Sequence, residues 1–341
     1  MADYKGIQGY SVQSLASDPT VANVVGQLWY NSASNVWKVS VQGAGAWSAG
    51  GTMTRTVAQG NIGGCGSLTA SVISGGYGPP SPGISALSET YNGSAWTATN
   101  GLNDARAEVA MAGTTTAAIG IGGSTTAPEY MDPSCEEYDG TSWTEVTAIT
   151  TARGTGSGCG VQTAALFATG NTGGLTTPAW QDLGNTEEWN GSTWSEKADV
   201  NTPRNYLCQI NAGTVTAALA VDGHTSTTVK NCETYNGTTW TEVNDTNTDR
   251  GNGGGFGTSA TAMAFGGEPP AGVTANAEQW NGTCWTEVAN LAAANYNPGG
   301  SGSTGTSGIK IAGSLVAPGG PTSTCEERDG ASIAAKTVTT S

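Results

Sequence analysis

Any chemistry in this chain has to be built around a single imidazole, because His224 is the one histidine among 341 residues. A serine–histidine–aspartate triad would rest wholly on it. A zinc site would lack imidazole ligands, and the seven cysteines contain no C-x-x-C pair to replace them. Cys135, Cys232 and Cys325 hold equivalent places before aromatic runs, so they should lie too far apart to bridge. Cys65, Cys159 and Cys208 read as small core residues, and an odd count suits free thiols in a chain folded in a reducing cytosol. No catalytic residue, metal ligand set or cofactor is expected. Arginine recurs at one spacing: Trp96–Arg106, Trp143–Arg153, Trp194–Arg204 and Trp240–Arg250 each span ten residues, and Arg55 follows Trp47 by eight. A repeated position reads as a structural hydrogen-bonding group rather than an anion-binding cluster. Asn92, Asn190, Asn236 and Asn281 each open an Asn-Gly-Ser/Thr sequence. These match the glycosylation pattern, but each is itself a turn, so no glycan is expected there.

The charge balance narrows the partners. Twelve Lys and Arg against 27 Asp and Glu give a net charge of −15. Nucleic acid is not an expected partner, because phosphate neutralisation needs clustered cations. An anionic membrane surface is disfavoured for the same reason. No apolar run approaches the roughly 18 residues of a membrane span, and the opening MADYKGIQGY has no apolar segment of the secretory kind. Fifty-two glycines could suggest disorder, but the 11 Trp and 10 Tyr fall at regular places and supply material for a core.

Those regular places belong to a repeat. EEYDGTSWTEV starts at Glu136, with near-copies at Glu89, Glu187, Glu233 and Glu278 and a worn version, EERDGASIAAK, at Glu326. Between them recurs a short apolar element such as TAAIGIGG (116–123), again in six copies. Asn-Gly or Asp-Gly between short aromatic runs is a strong hairpin signal. Read as a two-residue type I′ turn, Asp139-Gly140 pairs Tyr138 with Thr141 and Glu136 with Trp143. The apolar element reads as a strand in a buried sheet, paired with the segment before it, such as 107–113. Each period then holds four short strands and almost no helix, which describes a propeller blade. Trp47, Trp96, Trp143, Trp194, Trp240 and Trp285 read as wedges between blades. Ile333 stands where the last copy should have its Trp, so the Trp47 strand is expected to complete that blade.

The order of a Gly-Gly strand, then Tyr, then Trp resembles the kelch repeat over about residues 47–341. That resemblance implies an all-β fold: a six-bladed kelch-like β-propeller of four-stranded antiparallel blades, closed by pairing of N- and C-terminal segments. Kelch-like copper radical oxidases need Tyr, Cys and two His, which one histidine cannot meet. Sialidase propellers carry Asp boxes, of which these units keep only the G-x-x-W end. Residues 26–47, GQLWYNSASNVWKVSVQGAGAW, break the period and resemble a short module of tailed-phage structural proteins. Residues 1–46 are therefore expected as a polar arm (2–20) and a hairpin of Leu28–Asn31 with 36–41, and residues 47–341 as the propeller.

In a four-stranded blade the second-to-third and fourth-to-first connections emerge on one face. The former differ widely here (77–88, 124–134, 171–185 and 268–277), whereas the third-to-fourth turns are nearly uniform. Variable loops on a rigid scaffold are where binding usually sits, and Tyr77, Tyr130 and Trp180 are the candidate binding aromatics. The combined resemblance implies a non-enzymatic structural protein of phage virions, of fibre or virion-associated type and present in multiple copies. It would be made in the host cytoplasm and exposed on the particle. Its N-terminal segment would attach to other virion proteins, and its loops would face a host-surface glycan or protein. The competing classes are a carbohydrate-active propeller enzyme, marked by converging carboxylates at the ring centre, and a cellular kelch interaction module.

Overall fold

The computed structural model describes residues 13–16, 28–42, 45–55, 63–78, 83–126, 131–173, 181–315, 320–330 and 333–338. Among them there is no helix. The chain divides into two compact units, Met1–Gly45 with Gly330–Ser341, and Ala46–Asp329. In the smaller unit, Leu28–Asn31 and Val36–Gln42 form the expected hairpin. Two strands not anticipated from sequence extend it. Gln13–Leu15, inside the supposed polar arm, runs parallel to Leu28–Asn31, and Ile333–Thr337 runs antiparallel to Val36–Gln42. The final segment thus groups with the N-terminal one rather than with the repeats. The reason lies in the last repeat: Cys325–Asp329 already has its outer neighbour in Ala46–Ala49, with Arg328 opposite Trp47.

The larger unit is a series of small antiparallel sheets, propeller-like in architecture. The first sheet holds Gly63–Ser67, Ala70–Ser74, Ser88–Tyr91 and Trp96–Thr99. The second holds Ala110–Thr114, Ala117–Ile121, Cys135–Tyr138 and Trp143–Val146. The third runs from Ser157–Val161 to Trp194–Lys197, and the fifth from Gly254–Gly257 to Trp285–Glu287. The sixth comprises Gly299–Thr304, Ser307–Ile311, Cys325–Asp329 and Ala46–Ala49. The fourth departs from the four-stranded expectation. It has Ala218–His224, Thr228–Tyr235 and Trp240–Val243, with only isolated bridges (Asn205–His224, Cys208–Val221 and Thr214–Ala217) where the other sheets carry their first strand. There the chain leaves the ladder, and buried Asn211 donates its side-chain amide to the carbonyls of Gly64 (2.8 Å) and Gly300 (2.7 Å) on the first strands of the first and sixth sheets. Glycine permits such close approach: a Cβ on Gly300 would lie 2.1 Å from the carbonyl oxygen of Gly255.

The hairpin register differs from the type I′ reading by two residues. Tyr138 pairs with Trp143 and Glu136 with Glu145, leaving a four-residue loop, 139–142. The side chain of Asp139 decides this. Its Oδ1 accepts the N–H groups of Thr141 and Ser142, both at 2.8 Å, an Asx turn that stabilises the longer loop. Only Gly140 takes positive φ (+91°), where a type I′ turn would need two such residues. The longer loop brings each Trp against the aromatic across the hairpin. Ring centroids lie 4.9 Å apart for Tyr91–Trp96 and Tyr138–Trp143 and 5.0 Å for Tyr235–Trp240.

Each sheet then packs on the one before it. Trp143 joins Val72, Trp194 joins Ile121, Trp240 joins Leu166, and Trp285 joins Val221. Half-buried Trp47 of the sixth sheet sits edge-on to Phe256 and Phe265 of the fifth, and Trp96 of the first clusters with Ile309 and Ile311 of the sixth. The recurring arginines lie beneath these contacts, fully buried. Arg106 pairs with Glu136 (2.7 Å), Arg153 with Glu187 (2.5 Å), Arg204 with Glu233 (2.6 Å) and Arg250 with Glu278 (2.6 Å). Each glutamate, the first letter of its eleven-residue unit, also accepts a backbone N–H from the loop leaving the preceding sheet, such as Asn103 (2.8 Å) or Asn201 (2.7 Å). The sixth unit has Asn295 in the arginine place. There the cation comes from buried Lys310, which stands opposite Glu326.

Candidate binding face

The residue two places after each arginine carries a conformational strain that the sequence reading missed. Glu108, Thr155, Tyr206 and Asn252 have φ between +51° and +61°, and Asn297 in the sixth unit has +53°. Positive φ is unusual for any of these side chains and rarest for bulky ones. Backbone bonds hold it in place. Tyr206 N–H donates to Thr155 (3.0 Å), Asn252 to Tyr206 (3.0 Å) and Asn297 to Asn252 (2.7 Å). A belt of main-chain hydrogen bonds therefore crosses from the third sheet to the sixth, just ahead of the first strand of each. Its repetition over Thr155, Tyr206, Asn252 and Asn297 makes the strain there architectural.

What varies is the side chain that the belt presents. In the fourth sheet it is Tyr206, which lines one small cavity with Glu108 and lies within electrostatic reach of Tyr77 and Asp182. Burial raises the Tyr206 phenol pKa, and the negative neighbours add to it. Burial raises Tyr77 as well, then Glu108, while its hydrogen bond with Ser124 (3.4 Å) opposes. Burial raises Asp182 against the pull of His224, and Asn205 Nδ2 donates to its Oδ1 at 2.6 Å. Both phenols thus stay protonated at neutral pH, as donors rather than nucleophiles. A small cavity between Glu108, Tyr206, Asn252 and Pro298 measures about 20 Å³, room for about one water. An open groove of about 460 Å³ lies alongside, lined by Tyr206, His224, Glu268, Pro269 and Pro270. Aromatic and proline walls with hydroxyl, imidazole and carboxylate groups suit a ligand rich in hydroxyls.

Of the aromatics singled out from sequence, Tyr77 is half-buried in a two-residue strand opposite Ile84. Tyr130 and Trp180 lie outside the described residues. Trp96, Trp143, Trp194, Trp240 and Trp285 are buried as wedges, and Trp47 partly so. Tyr206, Glu108 and Asn252 could have been found by counting two residues on from each arginine. Asp182 sits inside a long variable loop with no such marker. Among the described residues no three His, Cys, Asp or Glu side chains are placed to hold a metal ion. The chain matches no protein-family model, and the search for similar curated proteins found no match.

Proposed function

We propose that Ala46–Asp329 closes as a six-bladed kelch-like propeller, and that the chain is a non-enzymatic structural protein of a tailed-phage virion. It attaches through its smaller unit and presents the variable loops outward. Ring closure is supported by the packing order: each outer Trp leans on the preceding sheet, and Trp96 of the first leans on the sixth. The observation that carries the functional reading is the contrast within one repeat. Four buried Arg–Glu pairs repeat almost unchanged, whereas the positive-φ residue two places after each of those arginines differs every time: Glu108, Thr155, Tyr206 and Asn252. Invariant interior with diversified rim is the construction of a binding scaffold. The virion assignment rests on the resemblance of residues 26–47.

The test separates the two ends of this reading. Removing residues 1–25 takes away the Gln13–Leu15 strand and should abolish incorporation into particles while the larger unit stays folded. Replacing Tyr77, Tyr130 and Trp180 together with Ala should leave incorporation intact and weaken adsorption to host cells by tenfold or more, at roughly 1–2 kcal/mol per lost aromatic anchor. If the truncated protein incorporates normally, or the triple variant fails in assembly, the polarity is wrong. One observation favours a second reading, a carbohydrate-active enzyme: the carboxylates of Glu108 and Asp182 both lie within electrostatic reach of Tyr206. Hydrolysis of host glycans that is abolished by Asp182→Asn would establish it in place of the first.

A further inference from the structure

We infer that the Asn-Gly pairs opening the hairpin loops at Asn92, Asn190, Asn236 and Asn281 are sites of spontaneous deamidation, and that the folded chain accepts the aspartate product. All four side chains are exposed. Each Oδ1 accepts two backbone N–H groups from its own loop: Ser94 and Ala95 (3.0 and 2.9 Å), Ser192 and Thr193 (3.0 and 2.9 Å), Thr238 and Thr239 (both 2.9 Å), and Thr283 and Cys284 (both 2.9 Å). Two donors on one carbonyl oxygen make its carbon more electrophilic. They also stand ready for the negative charge that forms when a nucleophile adds, the arrangement that stabilises oxyanions in acyl transfer. The nucleophile is the peptide nitrogen of the next residue, a glycine whose missing side chain leaves the approach uncrowded.

The step balances without any redox partner. The glycine nitrogen gives its proton to solvent and bonds to Cγ. Nδ2 takes up a proton from solvent, the Cγ–Nδ2 bond breaks and ammonia leaves, giving a five-membered succinimide. Water then opens the ring. Cleavage of the new Cγ–N bond restores the normal backbone with a carboxylate in place of the amide. Cleavage at the other carbonyl routes the backbone through the side chain and adds a methylene to the loop.

The second sheet displays the first product. Asp139 occupies the same place, and its Oδ1 accepts the same two donors, both at 2.8 Å. Tyr138–Trp143 beside it keeps the 4.9 Å separation of Tyr91–Trp96 beside Asn92. A carboxylate therefore fits the loop with no change in the strand register, and conversion at all four loops adds up to four charges to the formal −15. Two other Asn-Gly pairs lack the arrangement. Asn100 follows the Trp96–Thr99 strand rather than opening a hairpin loop, and Asn252 is fixed in the backbone belt at φ +57°.

The experiment is a time course of the intact, folded protein in mildly alkaline buffer, read by peptide-mapping mass spectrometry, with a short Asn-Gly-Ser peptide as the chemical control. Acid should accumulate at the four loop asparagines while Asn100 and Asn252 lag. The fourfold variant N92D/N190D/N236D/N281D should melt at or above the temperature of the parent. Loops that stay amidated while the control peptide converts would overturn the proposal, as would Asn100 and Asn252 keeping pace. A fourfold variant that melts lower than the parent would overturn the claim that the fold accepts the product.

Discussion

Asp222 shows how one side chain can set a pH response. It stands where the second and fifth sheets carry Gly122 and Gly266, fully buried at φ +55°. Thr246 donates to it at 2.5 Å and the Cys208 thiol at 3.7 Å, and Cys232 also lies nearby. Arg250 is 3.5 Å away, but holds Glu278 more closely at 2.6 Å. One guanidinium thus serves two carboxylates, and burial wins, pushing Asp222 from 3.8 up to about 7. A folded-state value above the unfolded one means that folding binds the proton. That stabilisation is complete below 3.8 and is lost as pH rises through about 7. Asp222→Asn has no proton to lose. Its melting temperature should fall less than the parent's between pH 3.8 and about 7, and should exceed it at higher pH. Parallel curves for the two proteins would show that Asp222 does not titrate in this window.

The repeated Arg–Glu pairs belong to the same scale and were half legible. The ten-residue Trp-to-Arg spacing marked the arginines as structural, yet the glutamate that opens every unit drew no attention as their partner. The repeat printed the pairing plainly, but pairing across some 30 residues needs the register, and the turn had been misread. With both groups at 0% exposure, Arg153→Met leaves Glu187 charged and buried, and should cost about 3–5 kcal/mol. Adding Glu187→Gln removes that charge and should recover part of the loss. A double-mutant cycle on chemical denaturation measures the coupling, and strictly additive costs would count against the pair.

At the scale of the hairpin, strand positions were readable because Asn-Gly or Asp-Gly turns and Gly-ended apolar runs recur from copy to copy. The register was not, because Asn-Gly alone does not distinguish a two-residue turn from an Asx-stabilised four-residue loop. The correction changes which residues touch, bringing each Trp onto the Tyr or Trp across the loop rather than opposite glutamate. Trp143→Ala should cost about 3–5 kcal/mol, as for truncation of a buried large aromatic. Trp37, 45% exposed in the smaller unit, should cost the Ala46–Asp329 transition almost nothing when truncated, within about 0.5 kcal/mol. Equal melting shifts for the two variants would place one of them wrongly.

For the whole molecule, the sequence announced six units and one strand borrowed from before the first. It did not announce that the last strand, Ile333–Thr337, pairs with Val36–Gln42, since pairing between chain ends leaves no periodic trace. The backbone belt was equally hidden, because it is made of N–H and C=O groups that every residue carries. The division has a direct consequence. The six apolar clusters among the described residues lie within Ala46–Asp329, so a fragment of residues 46–329 should fold and melt in one transition close to that of the same unit in the full chain. Starting the fragment at residue 51 removes only Ala46–Ala49 and Gly50, but those residues include Trp47 on Phe256 and Phe265 and the outer partner of Cys325–Asp329. The loss should be about 3 kcal/mol, the low end for a large aromatic because Trp47 is only partly buried. The exposed strand edge should also promote self-association. Calorimetry and light scattering on the two fragments decide the matter. If residues 51–329 melt as high as residues 46–329 and stay monomeric, the borrowed strand is not what completes the sixth sheet.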